Sequence, residues 1–257
     1  MEIMGRGFRQ ILQESPLYFH LGLKFAGYKL FNKRSPIYGS ADITNVCNLH
    51  CQHCYWWLNR KEDEDLTVEQ WERVIEEKFK KQHVFVVTLV GGEPMMRPDV
   101  VELFIKKFPK RACVVTNGTY PLPRFDNLYF YWISIDGTRQ IHNEIRGENA
   151  WEKTRKNVID YVESNGKKAW KDIWISMTIN SIANPKKQLE LMKGSWGGKG
   201  TVPIDCPTWT ILSLDHMGRE KLPCCIGSAE KDSMKPRCEE CGLGCYSVSV
   251  AYGLSFS

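Results

Sequence analysis

The 257-residue chain is 42% hydrophobic and 25% charged, an ordinary balance for a globular protein and enough to bury a core. Its formal charge of +5 comes without a dense basic run, so no specific nucleic-acid partner is expected. No apolar stretch has the length of a membrane span, and the N-terminus is too polar for a signal peptide. We therefore expect a cytoplasmic protein in which the ten cysteines form no disulfide framework and the clustered cysteines bind metal, whereas Cys113 is a small buried apolar residue.

The spacing of apolar residues predicts the elements in chain order. Residues 1–36 form an N-terminal helical segment, with one helix over 8–31 or two helices that break near Pro16. From residue 37 onward, short apolar strands alternate with amphipathic helices, which predicts an α/β fold with a parallel sheet, either open or a partial barrel. The predicted strands are 41–46, 84–90, 113–116, 129–135 and 173–179, and the predicted helices begin at 67, 98, 151 and 185.

A change of character near residues 194–205 indicates a domain boundary. Four glycines interrupt the periodicity there, and the chain beyond Cys206 contains short strands, turns and cysteines. We therefore assign residues 37–193 to a core domain that supplies five strands. Residues 194–257 are assigned to a small Cys-rich domain.

Three cysteines directly follow the first predicted strand. Cys47, Cys51 and Cys54 have the spacing C-x3-C-x2-C, at the strand end where active sites of parallel α/β folds gather. Three thiolates can bind three irons of a 4Fe–4S cluster, and no nearby fourth cysteine completes the set. One iron is then open to a small molecule. The alternative is a zinc site that also uses His50 or His53.

Further motifs follow the cysteines at the ends of later strands. Together with Tyr55, which comes directly after the last cysteine, they resemble the radical S-adenosylmethionine (SAM) superfamily over about residues 38–180. Segment 141–147 is similar to an H-D-x-x-R-G pattern of the branch with C-terminal cluster domains, with Asn143 in place of the aspartate. The residues that carry the resemblance are Gly91, Gly92, Glu93 and Pro94, then Asn117, then Ser134 and Asp136, and finally Arg146.

The resemblance implies a fold, two cofactors and a reaction. The fold is a partial (β/α) barrel, abbreviated if the core has only five strands. The catalytic 4Fe–4S cluster is bound by the three cysteines, and SAM chelates its open iron. The segment 91–94 contacts the methionine amino group, and the later motifs lie near the ribose and the methionyl carboxylate. Reductive cleavage of SAM gives a 5′-deoxyadenosyl radical, which abstracts hydrogen from a substrate.

Six further cysteines predict a second metal site in the C-terminal segment. Residues 206–225 are expected to form a hairpin with its turn at Met217-Gly218, and a C-x2-C-x3-C run follows. This resembles the SPASM and twitch domains of radical SAM enzymes, which hold two clusters or one. We expect one auxiliary 4Fe–4S cluster, with structural zinc as the alternative. The expected ligands are Cys206, Cys224, Cys238 and Cys241, with Cys245 as a substitute for either of the last two and Cys225 as a bystander.

Three functions remain open at this point. The first is a radical SAM oxidoreductase or maturase that acts on a peptide, a protein side chain or a small alcohol, with an auxiliary cluster and a reductant such as flavodoxin or ferredoxin. The second applies the same chemistry to a membrane lipid, because residues 8–34 are apolar and basic and permit peripheral membrane contact. The third is an iron–sulfur or zinc scaffold that does not catalyse.

Overall fold

The fold is known from a computed structural model. It describes residues 8–33, 35–54, 57, 64–176 and 211–221. The six cysteines of the C-terminal segment, the predicted helix at 185 and Tyr55 lie outside the described residues. The predicted hairpin lies partly inside them.

A seven-stranded sheet forms the centre of the described chain, in the order β5-β4-β3-β2-β1-β6-β7. Every neighbouring pair is parallel except β6 and β7, which are antiparallel. Strands β1 to β5, which are parallel and mostly separated by helices along the chain, confirm the predicted α/β fold. The strands are β1 (Tyr38–Thr44), β2 (Val86–Gly91), β3 (Ala112–Thr116), β4 (Leu128–Ser134), β5 (Ile173–Ser176), β6 (Ile211–Leu214) and β7 (Glu220–Lys221).

The helices agree with the sequence pattern in most places. The N-terminal helix continues through Pro16 as a single element. The structure also contains a short polar helix, Arg139–Arg146, that the sequence pattern did not predict. That helix ends because Gly147 adopts a φ of 115°. The helices are α1 (Phe8–Phe31), α2 (Val68–Val74, continued by a π-helix Ile75–Lys80), α3 (Pro98–Lys107), α4 (Arg139–Arg146) and α5 (Ala150–Asn165).

Helix α2 begins where the sequence predicts. The Thr67 side chain accepts a hydrogen bond from the Gln70 backbone, and the Gln70 side chain accepts one from the Thr67 backbone. The helix then buries Trp71 completely, and the π-helix that follows buries Phe79. Both rings pack edge-on against Phe104 of α3, so this part of the core is aromatic.

The hairpin near the C-terminus belongs to the core sheet. It has the predicted strand–turn–strand form, with Gly218 in the turn at a φ of 69°. Strand β6, however, pairs with β1 in the register Tyr38↔Ile211, and it buries Leu214 completely. The boundary expected at 194–205 lies outside the described residues and stays a prediction. Residues 211–221 extend the core sheet at the edge of β1. The physical reason is that β1 offers unpaired backbone groups at its edge and an apolar surface beside them.

Candidate functional site

The cysteine loop leaves the carboxyl end of β1. Cys47, Cys51 and Cys54 are free thiols of intermediate exposure, and the Cys54 backbone N–H donates to the Cys51 carbonyl at 3.1 Å. Cys113, the remaining cysteine among the described residues, is fully buried in β3. Within the described part, the three loop cysteines are therefore the accessible thiols.

The two glycines after β2 let the cysteine loop approach closely. Gly91 has a φ of 112°. A Cβ atom on Gly92 would lie 2.0 Å from the carbonyl oxygen of Val46, inside the contact distance of any real side chain. The Gly92 N–H donates to the Thr44 carbonyl at 2.9 Å, and the Glu93 N–H donates to the Val46 carbonyl at 2.8 Å. The close approach at these glycines is thus to the chain's own cysteine loop.

Glu93 joins the ends of β2 and β3. Its side chain is almost fully buried, with 1% of its surface exposed. One carboxylate oxygen accepts from the Met95 N–H at 2.9 Å and from the Thr116 hydroxyl at 2.6 Å, and the other accepts from the Asn117 N–H at 2.8 Å. Burial raises the pKa of Glu93, and these hydrogen bonds oppose the rise.

Asn117 joins the end of β3 to the cysteine loop. Its side-chain nitrogen donates to the Asn48 side-chain oxygen at 3.0 Å. The Asn48 amide in turn donates to the Thr119 hydroxyl at 2.8 Å. The Asn117 side-chain oxygen accepts from the backbone N–H and the hydroxyl of Thr119. Both polar atoms of the Asn117 side chain are therefore used to hold the site together.

A second contact holds the cysteine loop from the opposite direction. The Gln52 backbone N–H donates to the Ile145 carbonyl at 2.9 Å, and its side-chain nitrogen donates to the Glu144 carbonyl at 2.7 Å. These two carbonyls belong to the last turn of α4, where helix carbonyls lack partners within the helix. Gln52 thus fixes the position of the cysteine loop relative to α4.

A buried ion pair lies beside the cysteine loop. The Arg146 Nε donates to the Asp136 carboxylate at 2.6 Å, and the two residues are 8% and 0% exposed. The two terminal nitrogens of Arg146 make no hydrogen bond within the described part of the chain. The Asp136 N–H donates to the ring Nδ1 of His142, which is fully buried. Arg146 therefore offers free donors where a carboxylate could bind bidentately.

The charge of Arg146 also influences the cysteines. Burial raises the pKa of Cys47, and it raises the pKa of Cys51 to about 11, while Arg146 opposes the rise at both thiols. Bare thiols here would be protonated at neutral pH. A stable thiolate needs further positive charge, which bound iron would supply.

All the core site residues predicted from the sequence lie at one end of the sheet. Arg146 completes them from the end of α4. Ser134 is half-buried and pairs through its backbone with Ser176. The predicted residues are Cys47, Cys51 and Cys54 after β1, Gly91, Gly92, Glu93 and Pro94 at and after the end of β2, Asn117 after β3, and Ser134 and Asp136 at the end of β4.

The residues present fit a cluster and a carboxylate-bearing ligand. Soft thiolates suit iron–sulfur clusters, and a cluster with three cysteine ligands keeps one iron open. Among the described residues, no three His, Cys, Asp or Glu side chains converge as ligands of a single ion. Each iron of a cubane takes its own cysteine, so three thiolates in one loop can bind three irons. The free donors of Arg146 add a place for a carboxylate.

Comparison with known sequences decides the family. Residues 42–182, more than half of the chain, match the Radical SAM superfamily. The chain belongs to the radical SAM superfamily. Members of this family are enzymes that use a 4Fe–4S cluster and SAM, and the cysteine loop of this radical SAM protein lies at the start of the matched region.

Several curated relatives share part of this radical SAM region. Mycofactocin maturase MftC of Mycobacterium tuberculosis is 30% identical over 127 residues, which cover 46% of this chain and 32% of that protein. The sporulation killing factor maturation protein SkfB of Bacillus subtilis is 30% identical over 154 residues, covering 56% of this chain and 36% of that protein. The chain thus spans about a third of the length of these relatives.

Two solved structures show a partial likeness to this chain. Streptococcus suis SuiB bound to the precursor peptide SuiA has a TM-score of 0.44 and 14% sequence identity, with 87% of this chain and 66% of that chain covered. The anSMEcpe structure with bound AdoMet and the Kp18Cys peptide has a TM-score of 0.44 and 18% identity, with 62% of this chain and 48% of that chain covered.

Sequence reasoning missed three residues that organise the site. Asn48 and Gln52 link the cysteine loop to the end of β3 and to α4, and His142 accepts a hydrogen bond from the Asp136 backbone. The available signal was position, because Asn48 and Gln52 are polar residues inside the loop of predicted metal ligands. His142 gave a weaker signal, as the first residue of the H-x-x-x-R-G segment.

Proposed function

We propose that this chain is a radical SAM enzyme that binds its catalytic 4Fe–4S cluster through Cys47, Cys51 and Cys54. One observation carries the proposal: the ends of β1, β2 and β3 are tied together around the cysteine loop by Glu93 and Asn117. A loop held by its neighbours on several sides can keep three ligands in fixed positions. That arrangement is what a cluster with an open iron requires.

The chain's own residues provide binding, orientation and exclusion of water. When bound, the cluster and SAM would supply the 5′-deoxyadenosyl radical that abstracts hydrogen from the substrate. Arg146 would bind the carboxylate of SAM through its two free terminal nitrogens, while Asp136 holds its Nε and so fixes the guanidinium plane. The segment 91–94 would lie beside the methionine amino group. Ser134 would lie near the ribose.

We further propose a peptide or protein side chain as the substrate in preference to a small alcohol. Two relatives are named as a maturase and as a maturation protein, which supports modification of a gene-encoded product. The C-terminal cysteines would hold one auxiliary 4Fe–4S cluster, which would accept one electron from the substrate radical and so complete a two-electron oxidation. A flavodoxin or ferredoxin would supply the electron that cleaves SAM.

The experiment compares the full chain with the Cys47→Ala/Cys51→Ala/Cys54→Ala variant, both purified without oxygen. Iron, sulfide and zinc are measured per chain, together with 5′-deoxyadenosine released from SAM under reducing conditions. The variant should release no 5′-deoxyadenosine and should retain about four irons in the C-terminal segment. The matched control, Cys113→Ala, should retain both clusters and the release.

Each other outcome contradicts part of the proposal. Release of 5′-deoxyadenosine by the variant would overturn the assignment of the three cysteines as ligands. One zinc with almost no iron in the variant would overturn the auxiliary cluster and leave the radical SAM core intact. A wild-type chain that binds iron but releases no 5′-deoxyadenosine would favour the scaffold alternative.

A membrane lipid as substrate has less support. The lipid hypothesis was based on the apolar, basic segment of residues 8–34, most of which forms α1. Lys24 of α1 donates to the carbonyls of Pro36, Gln82 and His83, just before β1 and β2 begin. Helix α1 therefore packs at the amino ends of these strands, whereas the cysteine loop follows the carboxyl end of β1. A seven-residue strand of about 23 Å separates the two.

A further inference from the structure

Helix α1 has an inner face that is firmly attached to the core. The Lys24 ammonium donates to three backbone carbonyls, two of them in the turn that precedes β2. On the same side, the His20 ring stacks on His83 with centroids 3.7 Å apart, and Tyr18 packs edge-on against Phe85. These contacts fix the rotation of the helix about its axis. Its outer face is therefore equally fixed.

The outer face carries an apolar stripe that no other part of the described chain covers. Phe19, Leu23 and Leu30 follow one another at intervals of four and seven residues, which places them on one side of the helix. They are 64%, 53% and 72% exposed, and Phe31 beside them is 79% exposed. Single exposed apolar residues are ordinary, but a continuous stripe indicates a partner. The stripe from Phe19 to Leu30 is about 17 Å long.

Positive charge lies beside one end of this stripe. Residues 15–41 contain four Lys or Arg residues and no Asp or Glu. Lys29 and Lys33 are exposed next to the end of the stripe. A cavity of about 170 Å³ adjoins Leu23, and its lining includes His20, Lys24, Lys33 and Ser35 but no carboxylate. The apolar stripe thus borders a surface that favours anions.

We propose that α1 docks the protein onto the surface of an anionic lipid bilayer. Phe19, Leu23 and Leu30 would enter the boundary between head groups and acyl chains, and Lys29 and Lys33 would contact the lipid phosphates. No helix in the described residues is long and apolar enough to cross a membrane, so the contact is peripheral. The catalytic cysteines, at the other end of β1, would then face away from the bilayer.

Two other occupants suit the surface less well. A second copy of the chain would present the same basic flank, with no acidic residue between positions 15 and 41 to meet it. A substrate peptide bound here would also have to extend over the length of β1 to reach the cysteine loop. An anionic bilayer can bind both the apolar stripe and the basic residues, and this contact does not have to extend to the cysteine loop.

Flotation of the full chain with vesicles tests the docking. One set of vesicles is phosphatidylcholine alone, and in the other about a quarter of the lipid is phosphatidylglycerol. The chain should float with the anionic vesicles only. The Phe19→Ser/Leu23→Ser/Leu30→Ser variant and the Lys29→Glu/Lys33→Glu variant should each lose at least about tenfold in partitioning. A control, Tyr129→Ser/Ile175→Ser, removes exposed apolar side chains elsewhere and should float like the wild type.

Three outcomes would overturn the proposal. In the first, the wild-type chain stays at the bottom of the flotation gradient with both kinds of vesicle. In the second, the stripe variant floats as well as the wild type. In the third, the chain forms a dimer that depends on the stripe, and it does not float with any vesicle. Far-ultraviolet circular dichroism and release of 5′-deoxyadenosine are measured on every variant. Because both should be unchanged, a failure of docking is distinguishable from a failure to fold or of the proposed enzyme activity.

Discussion

At the scale of single residues, the closest approach in the site is between Gly92 and the cysteine loop. The position where a Cβ would stand is 2.0 Å from the Val46 carbonyl oxygen and 3.1 Å from the Cys47 backbone nitrogen. These are backbone atoms, so a side chain at Gly92 can be accommodated only if the loop moves. A glycine here therefore controls where Cys47 lies.

We expect Gly92→Ala to displace the cysteine loop and to lower the iron content of the core cluster. The clash should cost about 1–3 kcal/mol in the free energy of unfolding, as overpacking does elsewhere. Denaturant unfolding and iron per chain measure the two effects. Gly22→Ala is the matched control, because a Cβ at that position in α1 meets nothing within 4 Å. Normal iron and stability in Gly92→Ala would contradict the role assigned to this glycine.

His142 makes stability depend on pH. Burial lowers its pKa from 6.5 to about 4. Between these two pH values His142 is therefore neutral in the folded chain and protonated in the unfolded chain. The free energy of unfolding should therefore fall as the pH falls from about 6.5 to about 4, by an amount on the order of 2 kcal/mol. In His142→Asn, which keeps an acceptor for the Asp136 N–H, that part of the slope should disappear. Equal slopes in urea unfolding at several pH values would refute this assignment.

At the scale of elements, α4 and the cysteine loop form one unit. Gln52 contacts the last turn of α4 through its backbone and its side chain, and the same turn carries Arg146. The loop of the three proposed cluster ligands is thereby placed against the residue proposed to bind the SAM carboxylate. Under the proposed function, this contact would set the position of the cluster relative to SAM.

We expect Gln52→Leu to weaken SAM binding by roughly fivefold, the equivalent of one net hydrogen bond of about 1 kcal/mol. Because the backbone hydrogen bond of Gln52 remains, stability should change little. Equilibrium binding of SAM to the iron-loaded chain gives the affinity. The control is Gln140→Leu, the same change at an exposed position of α4. If both variants bind SAM alike, the Gln52 side chain does not position the site.

At the scale of the whole molecule, the sheet joins distant parts of the sequence. Strand β6 lies beside β1 although about 170 residues separate them along the chain, and its Leu214 is completely buried. The segment that leads to the C-terminal cysteines is therefore anchored to the same sheet that carries the cysteine loop. Any auxiliary cluster would be attached to the core through this hairpin.

We expect Leu214→Ala to destabilise the entire core by about 2–5 kcal/mol, as truncation of a buried leucine usually does. The loss should appear in one cooperative transition, followed by circular dichroism during denaturant unfolding. Ile175→Ala, at a half-exposed position of β5, should cost less than about 1 kcal/mol. If Leu214→Ala left the core transition unchanged, residues 211–221 would behave as part of a separate domain.

The sequence by itself determined the local features of this protein. The alternation of strands and helices, the Thr67–Gln70 capping box and the loop of Cys47, Cys51 and Cys54 each depend on residues that are close along the chain. The order in which the motifs follow the strands also placed the site at one end of a parallel sheet. Periodicity and spacing carry this information because secondary structure is a local property.

Only the tertiary structure decided how the site is held and where β6 lies. The polar atoms of Glu93 and Asn117 bind other parts of the chain, and Gln52 contacts a helix more than 90 residues away. No local pattern encodes such partners, because they depend on which loops the folded sheet brings together. The same holds for α1, whose outer face is known only because Lys24 fixes its inner face against the core.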